Sequence, residues 1–385
     1  MYLSALIPAL MEAGHDVALL AETDAPASRA PIIADSKVQS WSTQIMGRDP
    51  GLDALRRWKP DLVCAHGLRD SELESRVIDV APSVLFAHSY YGTCISGNKR
   101  FAWPRPRPCS RQFGPACLLH YFPHRCGGKS PITMVRNYAL QTRRATLLAR
   151  YAGIVTHSAH MAREYERHGI DQRRIHCIPY GIAPLAGRAV SAIAPLGRPH
   201  LVFLGRMEGV KGGPYLLSAL DAVQKNLARP IRVTMAGDGP DRRQWEILSS
   251  RVARANSAVE IAFPGWLDET RRDDLLRQAH LLVVPSTWPE PFGLVGVEAG
   301  RLGVPAAAFG VGGISEWLTD GVNGVIAPGE PPTIAGLSHA IVACLEDPIR
   351  YDSLRLGAIR LASRFTLAAH LENLIPVFRG IRARA

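Results

Sequence analysis

The sequence predicts an α/β protein of two Rossmann-like, doubly wound domains. Three observations predict it. Short apolar runs, too short for helices, alternate along the chain with stretches of helical period. Several of these runs end directly in glycine-bearing turns: 201–204 in Gly205-Arg206, 231–236 in Gly237-Asp238-Gly239-Pro240, and 304–309 in Gly310-Val311-Gly312-Gly313. The length, 385 residues, suits two domains of ordinary size. In an open parallel sheet, ligands bind beyond the carboxyl ends of the strands, so these turns are where a site is expected.

The elements follow in order. Residues 2–13 read as a helix, Gly14 as its stop and 17–21 as a strand. A doubly wound domain normally opens with a strand and a glycine-rich turn before its first helix. Here the helix comes first. The expectation is therefore an N-terminal domain without its first strand, the true start lying upstream. A helix near 51–58 leads to strand 61–65, which ends at His66; a helix near 71–80 leads to strand 83–87, which ends at His88. His88 is the better site candidate, because an unusual segment follows it directly.

That segment, 89–131, is rich in Pro, Gly, Cys and Arg and has little periodicity. It reads as a long ordered insertion with short helical pieces. A loop of this length is functional or disordered, and Tyr90, Tyr91, Phe101, Trp103, Phe113, Tyr121 and Phe122 argue against disorder. Cys94, Cys109, Cys117 and Cys126 lie here with 14, 7 and 8 residues between them. A structural zinc, a disulfide staple and simple packing cysteines all remain open for this cluster. Gly127-Gly128-Lys129-Ser130 is not a P-loop, since the first glycine and the preceding strand are absent.

A basic helix over 134–150, a strand at 153–157, a helix at 159–167 and a strand at 175–178 complete this half. Residues 183–199, rich in Ala, Pro and Gly, read as the interdomain linker. The expected domains are thus 1–186 and 187–364, with a last helix over 365–385 that Pro376 kinks or shortens.

Charge is unevenly spread. The net charge is +11, and residues 99–150 hold eleven Lys and Arg with no Asp or Glu. Such a segment attracts an anion: a phosphorylated acceptor, an acidic membrane surface or a nucleic acid. Nucleic acid is the weakest of the three, because no binding module accompanies the charge. No apolar run approaches the ~18 residues needed to span a bilayer, and the first twenty residues lack a basic start. A cytoplasmic location, peripheral to the inner face of the membrane, is the expectation. Seven cysteines do not make a disulfide scaffold in a chain this long.

The chemistry concentrates in the second half. After strand 201–204, Arg206 and Lys211 stand five residues apart in a glycine-bearing turn, which fits a diphosphate: Arg206 offers forked hydrogen bonds and Lys211 a mobile point charge. Strand 259–263 ends in Pro264-Gly265-Trp266, where backbone groups meet a base. The apolar run 281–284 reads as a buried strand, broken by Pro285 and Pro289 and followed after Gly293 by helical spacing of Leu294, Val297 and Leu302. Glu290 stands in that loop and Glu298 in that helix. A helix start suits a phosphate; two carboxylates beside it make sense if they face hydroxyls. A nucleotide sugar, with phosphates between two hydroxyl-rich rings, fits. Residues 320–324 read as a hairpin-like turn.

These residues resemble the retaining family 4 glycosyltransferases of the GT-B fold. The resemblance rests on Gly-Arg with Lys-Gly at 205–212, Ala-Gly-Asp-Gly-Pro at 236–240 and Phe-Pro-Gly at 263–265. It continues with Pro-Ser-x-x-Pro-Glu-Pro-Phe-Gly and Val-Glu-Ala at 285–299 and Gly-Gly-Ile-x-Glu at 312–316. The first half matches more loosely, through Gly-His-Asp-Val at 14–17, His88 and the Ile-Pro-Tyr-Gly turn. The resemblance implies two domains facing across a cleft, with a C-terminal helix crossing back to the first. It implies transfer of a sugar from a UDP-, GDP- or ADP-sugar to a glycan or lipid-linked acceptor of the cell envelope, with retention and without a metal. Carried over, Arg206 and Lys211 hold the diphosphate, the N–H groups of Phe292, Gly293, Leu294 and Val295 meet the phosphate, and Gly265 lies at the base. Glu290 grips the donor sugar, Glu298 the ribose, and His88 sits near the reacting sugar. A nucleotide-sugar epimerase of the same fold and a non-catalytic anion-binding relative are the alternatives.

Overall fold

The computed structural model describes residues 2–23, 38–183 and 197–384. The expected linker and the boundary at 186/187 fall largely outside them. β1 (Ala18–Ala21) and β2 (Gln39–Ser42) pair in parallel as a two-stranded sheet. β3 (Val63–Ala65) and β4 (Ser83–Phe86) follow, then a small antiparallel pair, β5 (Arg100–Phe101) and β6 (Arg107–Pro108), inside the insertion. With β7 (Gly153–Thr156) and β8 (Ile175–Cys177), a parallel sheet of order β3-β4-β7-β8 is complete. The second half adds β9 (His200–Leu204), β10 (Ile231–Ala236), β11 (Val259–Gly265), β12 (Leu281–Val284), β13 (Ala306–Phe309) and β14 (Gly324–Ala327). These form a six-stranded parallel sheet of order β11-β10-β9-β12-β13-β14.

Burial explains the strands. Every residue of β4, β7, β12 and β13 is buried, as an apolar run covered by helices on both faces requires. Removing each such Val, Leu or Ile side chain from water is worth about 1.5–3 kcal/mol. In the larger sheet the strand order reverses between β9 and β12, so the turns after these two strands open on the crevice where a ligand sits.

Three local expectations change. The helix Leu367–Arg382 continues through Pro376. Leu374, Phe378 and Ile381 share one apolar cluster with Leu6, Leu10, Val84, Phe86 and Val155, and that packing on both sides of the proline holds the helix despite its lost hydrogen bond. The turn at 320–324 is not a hairpin, because β14 runs parallel to β13 and its partner lies across the sheet. β2 was not anticipated: Gln-Ser-Trp-Ser has one buried residue, Trp41, and too little apolar pattern to announce a strand.

Candidate functional site

The turns after β9 and β10 are built against each other. A Cβ on Gly237 would lie 1.9 Å from the Gly205 carbonyl oxygen, and one on Gly239 would lie 2.5 Å from that of Met207. Met207 N donates to Asp238 O at 2.9 Å, and Asp241 N to Met207 O at 3.0 Å. Only glycine permits this approach, and it leaves main chain rather than side chain at the strand ends. Gly212, at φ +68°, plays the same part against β12: its Cβ would fall 1.8 Å from the Pro285 carbonyl oxygen. The turn carrying Arg206 and Lys211 is therefore held against the loop that carries Glu290.

Lys211 and Glu290 meet. Lys211 Nζ stands 2.7 Å from Glu290 Oε1, and the same oxygen accepts from Ser286 Oγ at 2.5 Å. The ammonium also lies 5.3 Å from the centre of the Trp288 ring, a cation–π contact. Glu290 is buried, and its backbone is pinned by a parallel bridge to Gly312 and by Gly313 N donating to its carbonyl at 2.6 Å. A Cβ on Gly312 would stand 2.4 Å from that carbonyl oxygen. The paired glycines of 312–313 thus fix where the carboxylate points. Arg206 is largely exposed and pairs with Glu208 at 2.5 Å.

Beyond Glu290, Phe292 is buried and Gly293 takes φ +89°. Gly296 N then donates to Gly293 O, and Val297 N and Glu298 N to Leu294 O, opening the helix Val295–Gly300. Glu298 is buried beside Arg272, Nη1 to Oε1 3.0 Å. Burial raises its carboxyl above the usual range, with Arg272 and Arg301 pulling the other way. Gly265 ends β11 at φ +84° beside the Arg242 guanidinium.

His88 lies in a cluster of rings at the carboxyl end of the first sheet. Its Nε2 meets His66 Nδ1 at 2.7 Å, and its Nδ1 is bonded to the Tyr180 hydroxyl. His157 stacks on Tyr180 at 3.6 Å between centroids. The Tyr2 hydroxyl meets His370 Nε2 at 2.8 Å. Burial pushes His88 down to about 4 and His66 to about 3, so both rings are neutral at physiological pH. Both nitrogens of His88 are engaged, and a ligand reaches it only by exchanging one of these bonds. Tyr180 packs edge-on against Phe292 at 5.3 Å, which joins the histidine cluster to the Glu290 loop. Two further bonds fasten the halves. The Ser158 hydroxyl caps the helix Ala159–Arg167 by accepting from Met161 N, and donates to Pro291 O at 2.5 Å. The Tyr90 hydroxyl donates to Pro289 O at 2.7 Å.

Cys94, Cys109, Cys117 and Cys126 line one small cavity beneath the insertion, with His120. All four thiols are free. Burial, with the neighbouring cysteines adding to it, pushes Cys126 up to about 12, and burial raises Cys109 as well. Among the described residues no group of three or more His, Cys, Asp or Glu is placed to hold a metal ion.

The sequence reading singled out Lys211, Glu290 and Glu298 but missed Ser286, Trp288 and Arg272, which hold them; it set His66 below His88, and named Tyr180 only within the Ile-Pro-Tyr-Gly turn, without seeing that both close on His88. Ser286 and Trp288 stood inside the singled-out loop. Arg272 carried no signal, being one of three arginines in a charged helix.

Residues 1–184 match the family described as Glycosyltransferase Family 4, and residues 191–360 that described as Glycosyl transferases group 1. The chain is 31% identical over 225 residues to a D-inositol 3-phosphate glycosyltransferase 1 of Catenulispora acidiphila, covering 55% of this chain and 53% of that one. It is 34% identical over 170 residues to a glycogen synthase of Mycobacterium tuberculosis, covering 44% and 39%. The chain thus spans about half the length of the curated relatives it matches, or less. Among solved structures, the sucrose-phosphate synthase of Thermosynechococcus elongatus superposes with a TM-score of 0.70 at 17% identity, over 98% of this chain and 92% of that one. Anabaena HepE, solved with UDP and glucose, superposes with a TM-score of 0.64 at 16% identity, over 95% and 100%. These likenesses establish the GT-B fold. With both halves matched in order and the fold in agreement, the chain belongs to the group 1, family 4 glycosyltransferases.

Proposed function

We propose that this chain moves a sugar from a nucleotide diphosphate sugar to an acceptor hydroxyl, with retention at the anomeric carbon. The observation that carries the reading is the Lys211–Glu290 pair, held by Cβ-free turns at the carboxyl edge of the six-stranded sheet. A diphosphate arriving beside Lys211 and Arg206 competes for both cations. It releases Glu290 to accept from the donor sugar's hydroxyls. The same cations stabilise the charge that gathers on the diphosphate as the glycosidic bond breaks. The N–H groups of Phe292, Gly293, Leu294 and Val295 lead the next turn, and first-turn amides lack intrahelical acceptors, so they serve the phosphate. Gly265 lies at the base, and Glu298 accepts from the ribose. His88, neutral, faces the reacting sugar from the other sheet.

The acceptor enters by a polar cavity of about 260 Å³ lined by Asn98, Arg100, Arg125, Asn137 and Val210, among others. Val210 adjoins Lys211, so the cavity lies against the donor turn. Guanidinium and amide groups suit a glycan or lipid-linked acceptor bearing hydroxyls and an anion. One relative is named for D-inositol 3-phosphate, an anionic polyol, which accords with that lining. An epimerase has no use for an acceptor cavity, and the relatives are named as transferases and a synthase. HepE's UDP makes UDP-sugars the first donors to test.

Purified chain is incubated with labelled UDP-, GDP- and ADP-glucose, and free and transferred sugar are measured. Glu290→Gln lowers turnover by about 100-fold or more while the melting temperature holds. Near wild-type turnover removes Glu290 from the site. Isomerised donor replaces the reading with epimerisation, and donor binding without turnover replaces it with a binding role.

A further inference from the structure

The basic segment 99–150 presents two sets of cations. Four of its eleven are tied into the fold: Lys99 pairs with buried Glu164, Arg100 bonds Thr287, Arg144 bonds the Leu68 carbonyl and lies over Tyr91, and Arg150 pairs with Asp79. The other seven, among them Arg105, Arg125, Lys129 and Arg136, are exposed and form no ion pair among the described residues.

The same stretch exposes apolar side chains. Of the twelve large hydrophobic residues exposed among the described residues, Trp103, Leu119, Phe122, Ile132 and Val135 fall within residues 103–135. An even spread would place about one there, and concentrated exposure of this kind marks an interaction face. Leu119 and Ile132 are 77% and 80% exposed. The five belong to one region. The helix Ala116–Tyr121 packs on the helix Pro131–Leu148, and Ile132 and Val135 share a face of the latter at i, i+3. Arg125 stacks over Trp103 at 4.7 Å. Lys129 and Arg136 flank Ile132.

We propose that this face docks on an anionic lipid bilayer. Apolar side chains interleaved with unpaired cations suit the boundary between acyl chains and acidic headgroups: the cations bind the headgroups and the apolar groups enter below them. A soluble polyanion would use the cations and leave Leu119, Ile132 and Val135 without purpose. No described helix is long and apolar enough to cross a membrane, so the contact is peripheral. Arg125 and Asn137 belong both to this region and to the polar cavity; docking sets that cavity at the membrane surface. This last consequence rests on the proposed acceptor site, whereas the docking does not.

The test is co-sedimentation of the full chain with vesicles of phosphatidylcholine alone or with one third phosphatidylglycerol. The chain binds the anionic vesicles and releases as salt rises. Lys129→Gln with Arg136→Gln weakens binding about 30-fold, since each cation near the surface contributes about fivefold. Leu119→Ser and Ile132→Ser each weaken it about tenfold, with unchanged melting because both side chains are exposed. Equal binding to neutral and anionic vesicles, or none to either, overturns the proposal. So does full vesicle binding by the serine variants, which would reveal a purely electrostatic site. Single-stranded RNA that binds the chain and displaces it from vesicles, with the serine variants unaffected, would assign the face to nucleic acid instead.

Discussion

Arg272→Ala tests how Glu298 is held. Arg272 Nη1 lies 3.0 Å from Glu298 Oε1, and the side chains are 7% and 9% exposed. Removing one partner of a buried pair leaves an uncompensated charge and costs about 3–5 kcal/mol. Arg272 also touches Asp273 at 3.0 Å, but Asp273 keeps Arg301 at 2.7 Å, so the loss falls mainly on Glu298. At about 2–4 °C per kcal/mol for a unit of this size, the transition moves down by about 10 °C at pH 8. The pH dependence gives the mechanism away. Burial already raises the Glu298 carboxyl, and losing Arg272 raises it further. A carboxyl raised in the folded state is penalised above its folded pKa and relieved as pH falls through it. Scanning calorimetry at pH 5 and pH 8 should therefore show the gap to wild type narrowing at pH 5. Adding Glu298→Gln should restore much of the loss at pH 8. A gap under about 1 kcal/mol at pH 8, or one that neither pH nor the second substitution changes, refutes the reasoning. If Glu298 also holds ribose, Arg272→Ala raises the donor KM more than it lowers kcat.

Other consequences can be measured alongside. Lys211→Ala should weaken donor binding by about 30–100-fold, the worth of a charge-assisted phosphate contact, read by donor titration, and should also lower the melting temperature, because buried Glu290 loses its cation. His88 and His66 are lowered from 6.5 to about 4 and about 3 by burial. For such a histidine the unfolded chain takes the proton first, so its stabilisation is full above pH 6.5 and is lost as pH falls toward 4. The loss is on the order of 3 kcal/mol for His88, and His66→Phe should flatten the pH–stability curve between pH 4 and 6.5. Gly212→Ala should unfold the donor half, because its Cβ would sit 1.8 Å from the Pro285 carbonyl. Gly14→Ala, at φ +85° with nothing within 4 Å, should cost only the left-handed strain of about 1–2 kcal/mol.

Much of the fold was legible. The helix Ala159–Arg167 and the strands Ile231–Ala236 and Leu281–Val284 match the sequence reading end to end, because short runs dominated by apolar residues between breakers read as strands and an amphipathic run behind Ser158 reads as a capped helix. β2 was not legible, since its pairing with β1 rather than its own pattern makes it a strand. Nor was the survival of the last helix through Pro376, which packing decides. Of the candidate site, the residues whose spacing carries the motif were readable, and those that hold them were not.

The division has a physical basis. Turn chemistry is local, so glycines at 205, 212, 237 and 312–313 announced close approach of main chain, and Lys211, Glu290 and Glu298 announced charge beside it. The sequence alone determined two parallel sheets with that chemistry at their strand ends. Tertiary structure decided which charges meet. It set Lys211 and Ser286 on one oxygen of Glu290, placed Arg272 against Glu298, and closed both nitrogens of His88 with His66 and Tyr180. It also divided eleven basic residues into four that are tied into the fold and seven left exposed. Each of these pairings depends on a partner distant in sequence and brought near only by packing, and no local pattern encodes that distance.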